Sequence, residues 1–168
     1  RELVRLQTRA KRLGIAGKML FACCTSESLP VASNVADGLV ANAILEHLPK
    51  ETEAIGEMRR VVKRGACVMV AMPIAFRYLL PIFWPLNWLH DRRIGHLRRY
   101  TRGRILKKFA GFREISTYYT GGAVNVLCVI LYLLTKYIPF LEFGERADRA
   151  TESLPYGSSN VVSIFKKI

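Results

Sequence analysis

Residues 37–49 read Asp37-Gly-Leu-Val-Ala-Asn-Ala-Ile-Leu-Glu-His-Leu-Pro49. Asp37–Ala41 has the length and apolar character of a short strand, and Asn42–Leu48 reads as a strand-to-helix junction. A helix is expected from Lys50 to about Lys63. Glu51 and Glu53 fall in its first turn and Arg59, Arg60 and Lys63 near its last, the polarity a helix dipole favours. Ile55, Met58 and Val62 form its inner stripe, and Gly65 is expected as the left-handed residue that ends it. Ala66–Met72 is then a continuous apolar run stopped by Pro73, the pattern of a strand covered on both faces. Strand, helix and strand in this order predict an α/β layered fold.

Upstream, Leu3, Leu6, Ala10 and Leu13 share one face of a helix ended by Gly14, and Met19–Cys24 is expected as a buried strand. Thr25–Ala36 is polar and turn-like. Downstream, Thr101 is the expected N-cap of a helix that turns Ile105, Leu106 and Phe109 inward and closes at Gly111. Glu114–Tyr119 and Asn160–Lys166 read as the last two strands. Tyr78–Leu89 holds two Pro and two Trp, so no regular long helix is expected there. Ala123–Leu134 is apolar except for Asn125 and is well short of the roughly 20 residues that cross a bilayer. A buried core helix is the first reading, with an interfacial membrane helix as the alternative.

The 168 residues are 51% hydrophobic and 23% charged, which suits one globular domain and excludes a disordered chain. The net charge of +13 favours anionic partners, and Arg92–Arg113 carries nine basic residues and no acidic one. Cys23, Cys24, Cys67 and Cys128 form no C-x-x-C pair, and His47, His90 and His96 do not accompany them at ligand spacing. They read as free thiols of a reducing cytoplasm, and no zinc or other metal site is expected.

Several segments resemble class I S-adenosylmethionine (SAM)-dependent methyltransferases of the type 11 kind. Asp37–Pro49 resembles the end of the family's fourth strand, with its Leu-Glu-His-Leu-Pro. Glu57-Met-Arg-Arg-Val-Val-Lys-Arg-Gly65 resembles the helix and Lys-Pro-Gly-Gly turn before strand five, with Arg64 at the Pro position. Ser26-Glu-Ser-Leu-Pro30 resembles the loop after strand three. Gly95-His-Leu-Arg-Arg-Tyr-Thr101, with Ala110-Gly-Phe112 after the next helix, resembles a late segment of one subgroup. The resemblance implies a Rossmann-like sheet in the order 3-2-1-4-5-7-6, strand seven antiparallel. Residues 1–168 would be a partial domain holding strands three to seven. Strands one and two and the glycine-rich cofactor loop would precede Arg1, leaving Met19–Cys24 without a neighbour and the chain poorly stable alone. Residues 74–100 would be an insertion capping the acceptor pocket.

The implied activity is transfer of a methyl group from SAM to a small or lipid-linked acceptor. The alternative is a non-catalytic, degenerate module that binds a membrane surface or a protein partner. The apolar stretches beside a basic belt favour a hydrophobic or membrane-delivered acceptor, with peripheral contact to an anionic membrane; without an aromatic stacking platform or a flipped-base motif, nucleic acid ranks last. By resemblance, Thr25, Ser26, Asn42 and Glu46 are the expected cofactor-binding residues, with Thr25 standing where the family carries an Asp. His47, His96 and Tyr100 are the expected catalytic groups, an imidazole being able to take a proton near neutrality. Asp91, Arg93 and Arg99 are expected to bind the acceptor, the arginines as donors to an anionic group. An ordinary turn at Thr25–Ser26, a structural Glu46–His47 pair and a solvated basic loop are the competing structural readings.

Overall fold

The structure, a computed structural model, describes residues 2–168. Helix α1 spans Glu2–Arg12 and strand β1 Ala36–Asn42, followed by α2 (Glu51–Val61) and β2 (Val62–Pro73). Then come α3 (Trp84–Ile94), α4 (Arg102–Lys108), β3 (Phe112–Thr120), α5 (Ala123–Thr135), α6 (Pro139–Thr151) and β4 (Asn160–Lys167). The four strands form one sheet in the order β1-β2-β4-β3. β1 and β2 run parallel, from Gly38 opposite Cys67 to Asn42 opposite Ala71. β4 is antiparallel to both its neighbours. This is the 4-5-7-6 half of the sheet that the motif order implies.

α2 forms because its apolar residues recur at helical spacing. It buries Ala54, Ile55, Met58 and Val61 on one face and leaves Arg59 exposed. That face belongs to one core cluster with Val68 and Val70 of β2, Ile105 of α4 and Phe109 just after it. The aromatic end of the core stacks Phe109 on Phe165, ring centroids 4.6 Å apart, with Phe112 edge-on to both. Each such fully buried side chain contributes about 2 kcal/mol by leaving water. Thr101 caps α4 as expected, its hydroxyl accepting from the Arg104 N–H at 3.2 Å. Leu106, expected to face inward, lies on the exposed side of α4.

Gly65 is not the helix-ending residue. α2 passes straight into β2 at Val62, and Gly65, at φ +80°, lies in the irregularity where the β1–β2 register jumps between Ala36 and Gly38. Met19–Cys24 is not part of the sheet. Leu20 is fully exposed and Cys23 and Cys24 are exposed, because no described strand lies beside them to share hydrogen bonds.

Ala123–Thr135 is helical, but of this helix only Cys128 is buried, so the core-helix reading is replaced by that of a surface helix. It pairs with α6, where Gly144 allows close approach: a Cβ there would lie 2.7 Å from Asn125 Oδ1 and 3.0 Å from Cys128 Cβ. Asp148 of α6 accepts from the Gly121 and Gly122 N–H groups (2.9 and 2.7 Å) and from Asn125 (2.8 Å). The polar interruption in the apolar run is thus the residue that joins the two helices. No helix among the described residues is long and apolar enough to cross a membrane.

Candidate functional site

In open α/β sheets, ligands bind at the carboxyl ends of parallel strands. Here β1 ends at Asn42 and the chain turns sharply at Ala43, which has φ +52°, a conformation a side chain adopts at some strain. The Ala43 N–H donates to the Ala71 carbonyl (2.9 Å), holding the turn against β2. Asn42 is exposed on the rim and lines an open cavity of about 400 Å³. Its floor is apolar, with Val40, Met69 and Val162. Tyr118, Thr120 and Asn160 supply polar groups at its edge.

The turn at Ala43 sends the next residues inward. Leu45 and Glu46, in a short 3-10 turn, are fully buried, and His47 is half-buried. The Leu97 N–H donates to the Glu46 carbonyl (2.8 Å), and Arg98 donates to the Leu48 carbonyl (2.7 Å), so the turn is stitched to residues 95–98. His47 Nδ1 lies 3.2 Å from the Gly95 carbonyl. His96 enters from that loop: its Nδ1 is 2.8 Å from Asp91 Oδ1 and its Nε2 is 3.7 Å from Glu46 Oε1. Among the described residues, neither Glu46 carboxyl oxygen has a hydrogen-bond partner. Asp91 is gripped by Arg99 through two bonds, at 2.6 and 2.8 Å. Burial works against the Asp91 charge, but Arg99 and His96 outweigh it and hold its carboxyl below the usual range.

Behind this cluster lies a second buried carboxylate, Glu51. Tyr100 donates to it at 2.5 Å, Lys108 stands at 2.8 Å and Arg98 at 3.3 Å. Burial pushes Glu51 up, yet Lys108, Tyr100 and Arg98 together bring it down to about 2. Burial, then the Glu51 contact, raises the Tyr100 phenol well above its ordinary value.

These contacts give several expected site residues other work. Tyr100, expected as catalytic, is a buried anchor whose proton is committed to Glu51. Asp91 and Arg99, expected to clamp an acceptor, clamp each other. The remaining Arg99 donors go to the Ile74 carbonyl (3.1 Å) and Asn87 (3.0 Å), and its side chain is only 7% exposed. Glu46 is sealed from the rim and cannot touch a cofactor there. His96 is nearly as enclosed, while His47 keeps part of its ring accessible. Arg93 is exposed and makes no ion pair among the described residues. Thr25 and Ser26 lie in a tight turn closed by Ser28 N–H to Thr25 carbonyl. The following loop docks on α2: Glu57 accepts from the Leu29 N–H, and Arg60 donates to the Leu29 and Val31 carbonyls. The Arg60 contact first, then the Leu29 N–H, lowers Glu57 to about 2.

Sequence reasoning treated Glu51 only as a dipole partner and did not single out Glu57 or Asn87. The only local signal was Glu57 three residues before Arg60, an ordinary helical spacing. It also missed a second cavity, of about 320 Å³, between the 79–90 segment and the start of α5, walled mainly by Leu79, Leu80, Phe83, Leu86 and Val126.

The parallel β1–β2 pair, the antiparallel β4 and the turn after Asn42 make up half of a Rossmann-like sheet of the class I methyltransferase type. Residues 2–70 match the family model described as a methyltransferase domain. The ubiquinone/menaquinone biosynthesis C-methyltransferase UbiE of Cronobacter sakazakii is 26% identical over 103 residues, 61% of this chain and 39% of that protein. The match thus spans about two fifths of that curated relative. Among solved structures, the [4+2]-cyclase SpnF aligns with 98% of this chain and 62% of its own, at a TM-score of 0.63 and 18% identity. Geranyl diphosphate C-methyltransferase from Streptomyces coelicolor, solved with Mg2+, geranyl diphosphate and S-adenosyl-L-homocysteine, gives a TM-score of 0.65 at 12% identity, over 96% of this chain and 58% of that one. The fold class expected from the motif order therefore stands.

Proposed function

We propose that this chain is part of an enzyme that transfers a methyl group from SAM to a small or lipid-linked acceptor. The observation that carries the reading is Asn42, at the carboxyl rim of a parallel strand pair and on the wall of a cavity with an apolar floor. The groups there suit the cofactor in part: the Asn42 and Asn160 amides offer uncharged donors and acceptors. Thr25 does not line this cavity, and it offers only a hydroxyl where the family has a carboxylate. Bound SAM would supply an electrophilic methyl group. The chain's contribution is to hold the acceptor lone pair in line with it and to keep water out. The insertion at residues 74–100 fits the role of acceptor cap. The Ala75 N–H donates to the Tyr100 carbonyl and the Tyr100 N–H to the Pro73 carbonyl, so the insertion is pinned at its base, and it walls one side of the 320 Å³ apolar cavity. An apolar acceptor suits those walls.

Calorimetric titration with S-adenosylhomocysteine tests the reading. Saturable binding is expected, and Asn42→Ala is expected to weaken it about tenfold, the worth of one good hydrogen bond. Absence of saturable binding overturns it.

One observation favours membrane delivery of the acceptor. Val124, Leu127, Ile130, Leu133 and Leu134 of α5 are exposed, as are Trp84, Trp88 and Leu89 of α3, on a chain of net charge +13. Apolar faces with surrounding cations suit an anionic bilayer surface. Flotation with vesicles rich in phosphatidylserine should carry the protein at low salt and release it at high salt. Failure to float at low salt removes the membrane reading and leaves a soluble acceptor.

A further inference from the structure

We infer that Glu46, His47 and His96 form a binding site for one divalent first-row transition-metal ion of the zinc class. One candidate ligand atom from each of the three lies within 4.8 Å of the other two. Two ligands of a single tetrahedral zinc ion sit about 3.4 Å apart, given bonds near 2.0–2.1 Å. The cluster therefore needs to contract by up to about 1.4 Å, within reach of side-chain rotation.

Glu46 supplies the strongest independent observation. Its side chain is completely buried and neither oxygen accepts a hydrogen bond. The ring nitrogen facing it is His96 Nε2, and 3.7 Å is too long for a hydrogen bond. A carboxylate stripped of water normally has donors or a metal ion facing it. The turn that buries it is not slack: Ala43 holds a left-handed conformation, and the Leu97 N–H fixes the Glu46 carbonyl.

The histidines are prepared on their other side. His96 donates Nδ1–H to Asp91, and His47 Nδ1–H points to the Gly95 carbonyl, which leaves the lone pair of each ring on Nε2. Asp91 is itself fixed by Arg99, and Arg99 by Ile74 and Asn87. A carboxylate behind a ligating imidazole is the usual outer shell of a metal site: it fixes the tautomer and raises basicity. Two imidazoles and one carboxylate favour zinc, cobalt, iron or manganese over magnesium or calcium, which prefer oxygen alone. This assigns His47 the role of ligand, not of proton acceptor, and it revises the expectation that no metal binds. The inference does not require SAM binding.

The purified chain, stripped with chelator and with thiols alkylated because Cys23, Cys24 and Cys67 are exposed, is titrated with Co(II) and then challenged with Zn(II). About one equivalent of cobalt should bind, with nitrogen–oxygen ligand-field bands and no thiolate charge-transfer, and zinc should displace it. Glu46→Gln and His96→Gln should each weaken binding at least tenfold, and Asp91→Asn about tenfold through the His96 tautomer. Should the core variants misfold by circular dichroism, His47→Asn at a half-buried position tests the same ligand set. His90→Gln and Asn42→Ala should leave cobalt affinity unchanged, which separates this site from the cofactor cavity. Absence of cobalt bands, or binding that survives Glu46→Gln and His47→Asn, overturns the inference and leaves an internal Glu46–His96 pair only.

Discussion

Glu46 and Glu51 are five residues apart, both buried, and their surroundings are opposite. Glu51 has a phenol, an ammonium and two guanidinium groups within 3.5 Å. Glu46 faces two histidines, and its carboxyl group has no hydrogen bond among the described residues. The first carboxylate ties α2, α4 and Tyr100 into the core. The second stands at the turn where the fold presents its ligands. Burial of a carboxyl group is therefore not one kind of feature here: where the chain supplies the donors it is structural, and where it withholds them it is the ground for the proposed metal site.

The largest test of that contrast is Glu51→Ala. It removes the acceptor for Tyr100 and leaves Arg98 and Lys108 without their anion, at a cost of about 3 kcal/mol in urea unfolding. A loss below about 1 kcal/mol would mean that the cations reach water and that the two carboxylates are alike.

Acid sharpens the same point. The Glu51 pKa is about 2 in the folded chain against 4.5 ordinarily. Because the folded value is the lower, its contribution is complete above pH 4.5 and disappears as the pH falls toward 2. Asp91, Glu57 and Glu114 are lowered too and act in the same sense. The unfolding midpoint should fall between pH 4.5 and 3 in the parent and fall less in Glu51→Ala. Equal slopes would remove Glu51 as the source.

Glu46→Met is expected to have the reverse sign. In metal-free protein, replacing an unpartnered buried carboxylate by an apolar side chain should stabilise by about 1 kcal/mol. A loss of stability would show that Glu46 is satisfied in a way its neighbours do not reveal.

The smallest effect is expected far from both carboxylates. Leu127→Lys with Leu134→Lys, on the exposed side of α5, should change folding stability by no more than about 0.5 kcal/mol for each substitution. Vesicle flotation should nevertheless be lost. A large destabilisation would return α5 to the core.

One of the structural neighbours is described as a [4+2]-cyclase, so shared architecture does not name a reaction. What the site can do depends on groups such as Asn42, His47 and His96. The strand–helix–strand at residues 36–73 was legible because apolar run length and charge polarity are written in adjacent residues. Thr101 and Asn42 were legible for the same reason, as a cap before a helix and a polar residue after a strand. The apolar run Met19–Cys24 predicted a buried strand, whereas the motif order left it without a neighbour, and the exposure of Leu20, Cys23 and Cys24 agrees with the second of these. Ala123–Leu134 misled because apolar composition does not reveal which elements cover a helix.

By itself the sequence determined the four strands of the sheet and helices α1, α2, α4 and α5, which follow from periodicity within about a dozen residues, and it carried the motifs of the family resemblance; α3 and α6 were not read from it. Only the tertiary structure decided that Arg99 is consumed by Asp91, that Tyr100 is an anchor, and that Glu46 is left facing His96. Those outcomes depend on partners distant in sequence: Tyr100 lies 49 residues from Glu51, and His96 comes within 3.7 Å of Glu46 from beyond α3. A side chain's role there is set by which donors arrive from elsewhere, and no local pattern carries that information.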